Sequence, residues 1–219
     1  MQIIQSSVTT FDRDKKRIQL IDKSWLAYDY LVLTCGVQYH ARTLGSNFAK
    51  LSNVFDFNAG IMAKLSERAP AFIADENHPL AVIYGRSLQA MSAIEMLIKK
   101  GIPASQIHFV IPVAKPNRSC FKNEDVNKKV LKVLLDYGVV VQHGFKLFKW
   151  GHQDHALSAI VLKHTETDEL VKVENINMFI YADEKSVNSH SFKAINDSCL
   201  VFDGRLVIDK YFRTQDPYM

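Results

Sequence analysis

Residues 80–101, LAVIYGRSLQAMSAIEMLIKKG, limit the possible folds more than any other stretch of the chain. A short apolar run ends at Gly85, and the segment after it places Leu88, Met91, Ile94, Leu97 and Ile98 on one helical face. A strand that passes through a glycine turn straight into an amphipathic helix is the first half of a β-α-β unit. The sequence then repeats the pattern. QIHFVIP reads as a second strand, and residues 124–137 carry Val126, Val130, Leu131, Leu134 and Leu135 at helical spacing, with Gly138 as a stop. VVVQHG reads as a third strand. Strands separated by helices predict a parallel sheet with crossover helices.

The rhythm changes after residue 144. FKLFKW, ALSAIVLKHT and ELVKVENI are joined by the turn-rich GHQDH and TETDE, so an antiparallel meander is expected over residues 145–173. INMFIYA is one more apolar strand, predicted to return to the parallel sheet. At the front, QIIQSSVTTF and KRIQLI flank a charged turn. Residues 28–33 form a nearly continuous apolar run that reads as a buried strand ending near Gly36. NVFDFNAGIMAKLSER reads as a short extended piece and a helix, and the polar ADENHP marks a boundary near Asn77. In the tail, DG between two apolar runs is a hairpin signal.

Composition narrows the function classes. The 219 residues are 47% hydrophobic and 23% charged, ordinary for a globular chain with a substantial core. The net charge of +4 is spread without a basic stripe interleaved with aromatics, which argues against nucleic acid. Nothing approaches a membrane-spanning apolar run or a secretory leader. Cys35, Cys120 and Cys199 are too far apart for a redox dithiol or a zinc knuckle, and three free thiols suit a cytoplasmic setting. His152, Asp154 and His155 are potential metal ligands, but five residues between two strands read as a polar turn, so no metal is expected. The lysine-rich helix with Lys128, Lys129 and Lys132 reads as a crossover helix rather than a calmodulin target. Ser87 and Ser92 have no His/Asp partners in a recognisable order, so no catalytic residue is assigned.

Six stretches in the same order resemble the pyridine nucleotide-disulphide oxidoreductases: YDYLVLTCG, NVFDFNAGIMAKL, LAVIYGRSLQAMSAIEML, VNKKVLKVLLDYGVVVQHG, NINMFIYADEKSVN and LVIDKYFRT. The resemblance implies an α/β, Rossmann-like (FAD/NAD(P)-binding) three-layer domain with an antiparallel meander insertion, plus part of a second, flavin-type domain. Residues 1–77 would be a remnant of that flavin-type domain, 78–185 the NAD(P)-binding-like domain, and 186–219 the return segment. The family's glycine-rich start of the flavin domain and its later flavin contact would fall outside these residues, so a section of a longer protein is expected.

The family's cofactor positions are eroded. Its three-glycine turn falls on Gly85, Ser87 and Ala90, and alanine is tolerated at the last of these. Ser87 places a Cβ where phosphate oxygens would approach a helix N-terminus. Pro112 stands where a ribose-reading acid is expected, with Lys115 and Arg118 in the loop beyond. Cys35 replaces a threonine before Gly36, another vestigial cofactor position. The family's AIGRxPN turn reads ADEKSVN, with Ala182 and Asn188 in register, and its Asp183 and Glu184 would repel phosphate. No bound cofactor is expected on this reading. This pattern of loss also resembles the oxidoreductase-like region of a ciliary protein in the calmodulin- and spoke-associated complex at the radial spoke base. That likeness implies a non-catalytic axonemal interaction module of cilia and flagella, with spoke-base proteins or further copies as partners. The alternative is a FAD/NAD(P)H-dependent oxidoreductase with unusual cofactor loops.

Overall fold

The computed structural model describes residues 2–34, 36–58, 61, 67, 80–113, 121, 123–186, 201–202 and 205–219. Two compact units share the chain: Met1–Gln38 with Ser186–Met219, and Tyr39–Lys185.

In the first unit β1 (Val8–Asp12), β2 (Arg17–Leu20) and β3 (Trp25–Ala27) form an antiparallel sheet. Asp12 and Arg17 close the first turn with a 2.9 Å ion pair, and the guanidinium also lies over the Trp25 ring. The buried strand expected at residues 28–33 does not form. Tyr30 and Val32 are 77% and 81% exposed, although Leu31 donates its backbone N–H to the Tyr218 carbonyl. An apolar run becomes a buried strand only when both faces are covered. Among the described residues no layer covers the face carrying Tyr30 and Val32.

Gln38–Tyr39 is the two-residue strand β4. The second unit continues with β5 (Val54–Asp56), β6 (Leu80–Tyr84), helix α1 (Leu88–Lys99), β7 (Ile107–Ile111), helix α2 (Glu124–Asp136) and β8 (Val140–His143). Then come β9 (Phe145–Gln153), β10 (Ala156–His164), β11 (Leu170–Glu174), β12 (Ile176–Tyr181) and β13 (Lys185–Ser186). The tail pairs β14 (Val201–Phe202) with β15 (Arg205–Leu206) antiparallel, the hairpin that the DG signal predicts. Beyond Asn58, the helix expected in NVFDFNAGIMAKLSER and the boundary near Asn77 lie outside the described residues, apart from Ile61 and Glu67. All three cysteines, Lys115, Arg118 and Asn188 lie outside them too.

The main sheet has the order β5-β12-β6-β7-β8, with every neighbour parallel. INMFIYA therefore returns to the sheet and pairs with LAVIYG, Tyr181 opposite Tyr84. The meander is a separate sheet, β11-β10-β9, and its first turn uses Asp154 and His155 at φ 49° and 63°. Two consecutive left-handed residues match the right-handed twist of the flanking strands.

Alternation along the parallel strands divides the core into two. Ala81, Ile83, Phe109, Met178 and Ile180 face the helices, where Ala90, Ala93, Ile94 and Leu97 of α1 meet them. Val82, Tyr84, Val110, Phe179 and Tyr181 face the meander residues Leu157, Ile160 and Leu162. The layers are therefore helices, parallel sheet and antiparallel sheet. Asn53 ties the last two together, donating to the Leu157 and Ile176 carbonyls and accepting from the Leu157 N–H.

One helix departs from the pattern read in the sequence. Val126, Val130, Leu131, Leu134 and Leu135 were expected to pack as one face of α2, yet none of them is buried. Leu131 and Leu134 lean partly on the core, while Val126 and Leu135 are 38% and 55% exposed.

Candidate functional site

In an open α/β sheet, ligands bind beyond the carboxyl ends of the strands. Here that region begins at Gly85. Its φ is +149°, and an added Cβ would lie 2.3 Å from the Ala182 carbonyl oxygen and 2.6 Å from the Asp183 nitrogen. The retained glycine is thus required by the chain's own β12 end, which it passes at contact distance. Its N–H donates to the Val110 carbonyl, and Ala182 donates back to Tyr84, so the exits of three adjacent strands are bonded together.

Ser87 is the N-cap of α1. Its hydroxyl accepts from the Ala90 N–H at 3.2 Å and donates to the Ala182 carbonyl. The side chain that replaces the second glycine therefore satisfies one of the helix's orphan N–H groups. Ala90 is fully buried and gives the close helix–sheet contact expected at the third position.

Between them stands Arg86, which the sequence reading passed over. Its side chain is only 11% exposed. Nη2 lies 2.7 Å from Glu184 Oε1, Nε lies 3.2 Å from Asp183 Oδ1, and Nη1 donates to the Val113 carbonyl at 2.9 Å. One guanidinium thus joins the turn after β12 to the loop after β7, across the end of β6. This corrects the expected electrostatics: Asp183 and Glu184 do not face the crevice as bare charges, because Arg86 partly neutralises both. The signal was available in the sequence as one basic residue in the glycine turn and two acids in the turn that meets it.

An aromatic row lies beneath the clamp on the meander side. Tyr84 stacks on Phe179 and on Tyr181, with centroids 6.0 and 6.1 Å apart. Burial pushes the Tyr84 hydroxyl up to about 12, against a hydrogen bond from the Leu147 backbone. Burial likewise raises Tyr181, whose oxygen accepts from Thr43 and from the Glu184 N–H. Both phenols remain protonated at neutral pH and cannot serve there as bases.

Beside the clamp a cavity of about 450 Å³ opens between the strand ends and the helices. Met91 of α1, Phe109 and Ile111 of β7 and Leu131 of α2 form its apolar walls. Pro112 lines it without offering an acid, as expected. A carboxylate nevertheless reaches it from the meander, since His164 and Glu166 join Arg86, Asn127 and His143 as its polar lining. No local motif announces that arrangement, because the β10–β11 turn meets the cavity only through tertiary packing.

The other candidates are separate. Gly36, at φ +59°, belongs to the first unit and has nothing within 4 Å of an added Cβ. Asp154 and His155 form a hairpin turn, and among the described residues no three metal-capable side chains come together. Ser92 donates to the Leu88 carbonyl of its own helix. No helix among the described residues is long and apolar enough to cross a membrane.

No protein-family model matches the chain. Solved structures do resemble it. Putidaredoxin reductase, in its covalent complex with putidaredoxin, aligns over 97% of this chain at 18% identity and a TM-score of 0.76, with 48% of its own chain covered. A FAD-dependent pyridine nucleotide-disulphide oxidoreductase from Desulfovibrio vulgaris aligns over 99% at 18% identity and 0.72, with 52% covered. A water-forming NADH oxidase from Lactobacillus brevis, bound to NADH, aligns over 96% at 17% identity and 0.67, with 43% covered. The chain spans about half the length of each, and over that span it has the α/β fold of FAD/NAD(P)-binding oxidoreductase domains.

Proposed function

We propose that this chain is a protein-interaction module built on an oxidoreductase fold, with its nicotinamide-dinucleotide crevice closed by its own side chains. The observation that carries the reading is the Arg86 clamp: a mostly buried guanidinium engaged by Asp183, Glu184 and the Val113 carbonyl at the mouth of the crevice. A dinucleotide pyrophosphate would have to displace Glu184 from Arg86 and approach an N-terminus already capped by Ser87. The setting we propose is axonemal. It rests on the resemblance of YDYLVLTCGVQY, YGRSLQA and ADEKSVN to the oxidoreductase-like region of cilia- and flagella-associated protein sixty-one, and would make proteins of the radial spoke base the partners.

The second reading is a FAD/NAD(P)H-dependent oxidoreductase, and the fold likeness favours it. The neighbours named above are oxidoreductases, one of them bound to NADH. The cavity beside the clamp also lies where open α/β sheets receive ligands. One measurement separates the readings. A ligand at a hundred times its dissociation constant stabilises a fold by about 2.7 kcal/mol, a readily seen thermal shift. The interaction-module reading expects a colourless protein with no shift in NADH, NADPH or FAD. A yellow protein, or a clear shift at sub-millimolar cofactor, establishes the second reading. Deleting the region in a ciliated cell tests the setting: lost or unstable spokes are expected, and intact spokes would refute it.

A further inference from the structure

We propose that the outer face of the meander, around Phe148, is a docking surface for a short acidic protein segment. It rests on the interaction-module reading and gives that module a face and a partner chemistry.

Register assembles the face. Leu147, Trp150, Ile160 and Leu162 turn toward the parallel sheet. Leu162 pairs with Leu147 and Val161 with Lys149, so Phe148 is the extra residue of a β-bulge. Bulges re-aim side chains. This one leaves Phe148 and Lys149 together on the outer side, with Phe148 47% exposed. The amino groups of Lys149 and Lys163 lie 5.3 and 5.7 Å from the centre of its ring, within cation–π range.

The charges on this face oppose the sheet that carries them. Lys146 stands directly opposite Lys163, and Lys149 and Lys172 flank Val161 from either side. Like charges facing each other across a ladder lower stability. Asp168 pairs with Lys163 at 2.6 Å and Glu174 with Lys172 at 2.5 Å. Lys146 and Lys149 form no ion pair among the described residues. Asp168 lies in the turn before β11 and Glu174 ends that strand, so the lysines and Phe148 occupy the rows between two acids.

An acidic segment no longer than the five residues of β11 fits between those ends. It would bring carboxylates to Lys146 and Lys149 and set an apolar side chain against Phe148. Phosphate polymers fit less well. All four cations are lysines, where bidentate phosphate recognition favours arginine, and one exposed aromatic offers no run for stacking bases. A broad anionic membrane would also meet Asp168 and Glu174.

The test titrates the whole chain into a fluorescent peptide of glutamates around a central leucine, read by anisotropy. Saturable binding that weakens as salt rises is expected, with none for the glutamine counterpart. Lys146→Glu with Lys149→Glu should weaken it about tenfold or more, and the reversed chain should bind the lysine counterpart instead. Phe148→Ser removes the anchor and should weaken the glutamate peptide about tenfold. All three positions are exposed, so thermal unfolding should stay cooperative in both variants. Absence of saturable glutamate-peptide binding overturns the docking face and leaves the interaction-module reading to other surfaces. Binding that survives the charge reversal overturns it too. Tighter binding to vesicles of phosphatidylcholine and phosphatidylserine, or to single-stranded DNA, overturns it in favour of those partners. Glutamate-peptide binding by a chain that also shifts with NADH supports the face and overturns the closed crevice.

Discussion

The two helices on one face of the parallel sheet come from similarly amphipathic sequence, yet they meet the sheet differently. α1 buries Ala90, Ala93, Ile94, Met96 and Leu97, whereas α2 buries nothing completely. Both are capped at the start, by Ser87 and by Asn123, and both stop at a glycine with φ +92°. The difference lies in size at the contact. α1 presents two alanines to the sheet, and small residues let a helix axis approach closely. α2 presents Leu131 and Leu134 with no small residue between them, and both stay only partly buried against the core. Leu131 and Asn127 of α2 line the cavity beside it. Spacing announces that a face is apolar; residue volume decides how completely that face is buried against the sheet.

The largest effect should come from truncating each helix where it faces the core. Leu97→Ala removes a fully buried side chain and should cost about 2–5 kcal/mol. Leu134→Ala removes a half-buried one and should cost about 1–2 kcal/mol. Urea unfolding of both variants measures the contrast. Equal losses would mean that α2 is packed as tightly as α1 and that the cavity closes in solution.

Alkaline unfolding tests whether the opposite face of the sheet resembles α1 in tightness. Tyr84 titrates at about 12 in the folded protein because of burial, against an ordinary value of 10.0. Below pH 10 both states keep the proton, so the full stability is present. Between pH 10 and 12 the unfolded chain ionises while the native phenol does not, and stability falls with rising pH by about 2–3 kcal/mol in all. Tyr181, raised in the same direction, adds to that window. Tyr84→Phe should flatten the decline measured by denaturant titration at successive pH values. An unchanged slope would show that water reaches Tyr84.

A smaller effect separates the helices by overpacking. Ala93→Leu pushes three extra carbons into the α1 contact and should cost about 1–3 kcal/mol. Leu131→Phe adds bulk toward the cavity and should cost less than about 1 kcal/mol, read by the same unfolding curves. If both cost the same, residue volume at the contact does not explain the different burial of the two helices.

Most of the fold was legible because periodicity is a local signal. The change from helix-separated to turn-separated strands located the meander, and INMFIYA paired with LAVIYG as its apolar run implied. The site was legible in part. Gly85, Ser87 and Ala90 could be placed on one turn, but the roles of Gly85 and Ser87 toward Ala182 come from a strand about a hundred residues later. Arg86 was missed for the same reason: its partners lie 27, 97 and 98 positions away, so the basic residue of one turn and the acids of the other can be paired only once the two turns are known to meet. The run at residues 28–33 misled because an apolar sequence states a preference for burial without supplying the layer that covers it.

The smallest effect tests the outer face of α2, where Val133 and Leu135 are 51% and 55% exposed. An exposed valine on a helix loses little when replaced by a good helix former, and lysine also removes a β-branch that restricts helix rotamers. Val133→Lys should therefore change stability by less than about 0.5 kcal/mol in a protein that is monomeric when measured. The corresponding change on α1, at Ile94, would strand a charge in the core and prevent folding. If Val133→Lys instead costs more than about 1 kcal/mol and the cost grows with protein concentration, the face is covered by a second copy of the chain. In that case α2 closes against a partner rather than against its own sheet. The contrast between the helices would then be one of which surface each was built to meet, with sedimentation velocity showing the dimer that Val133→Lys dissolves.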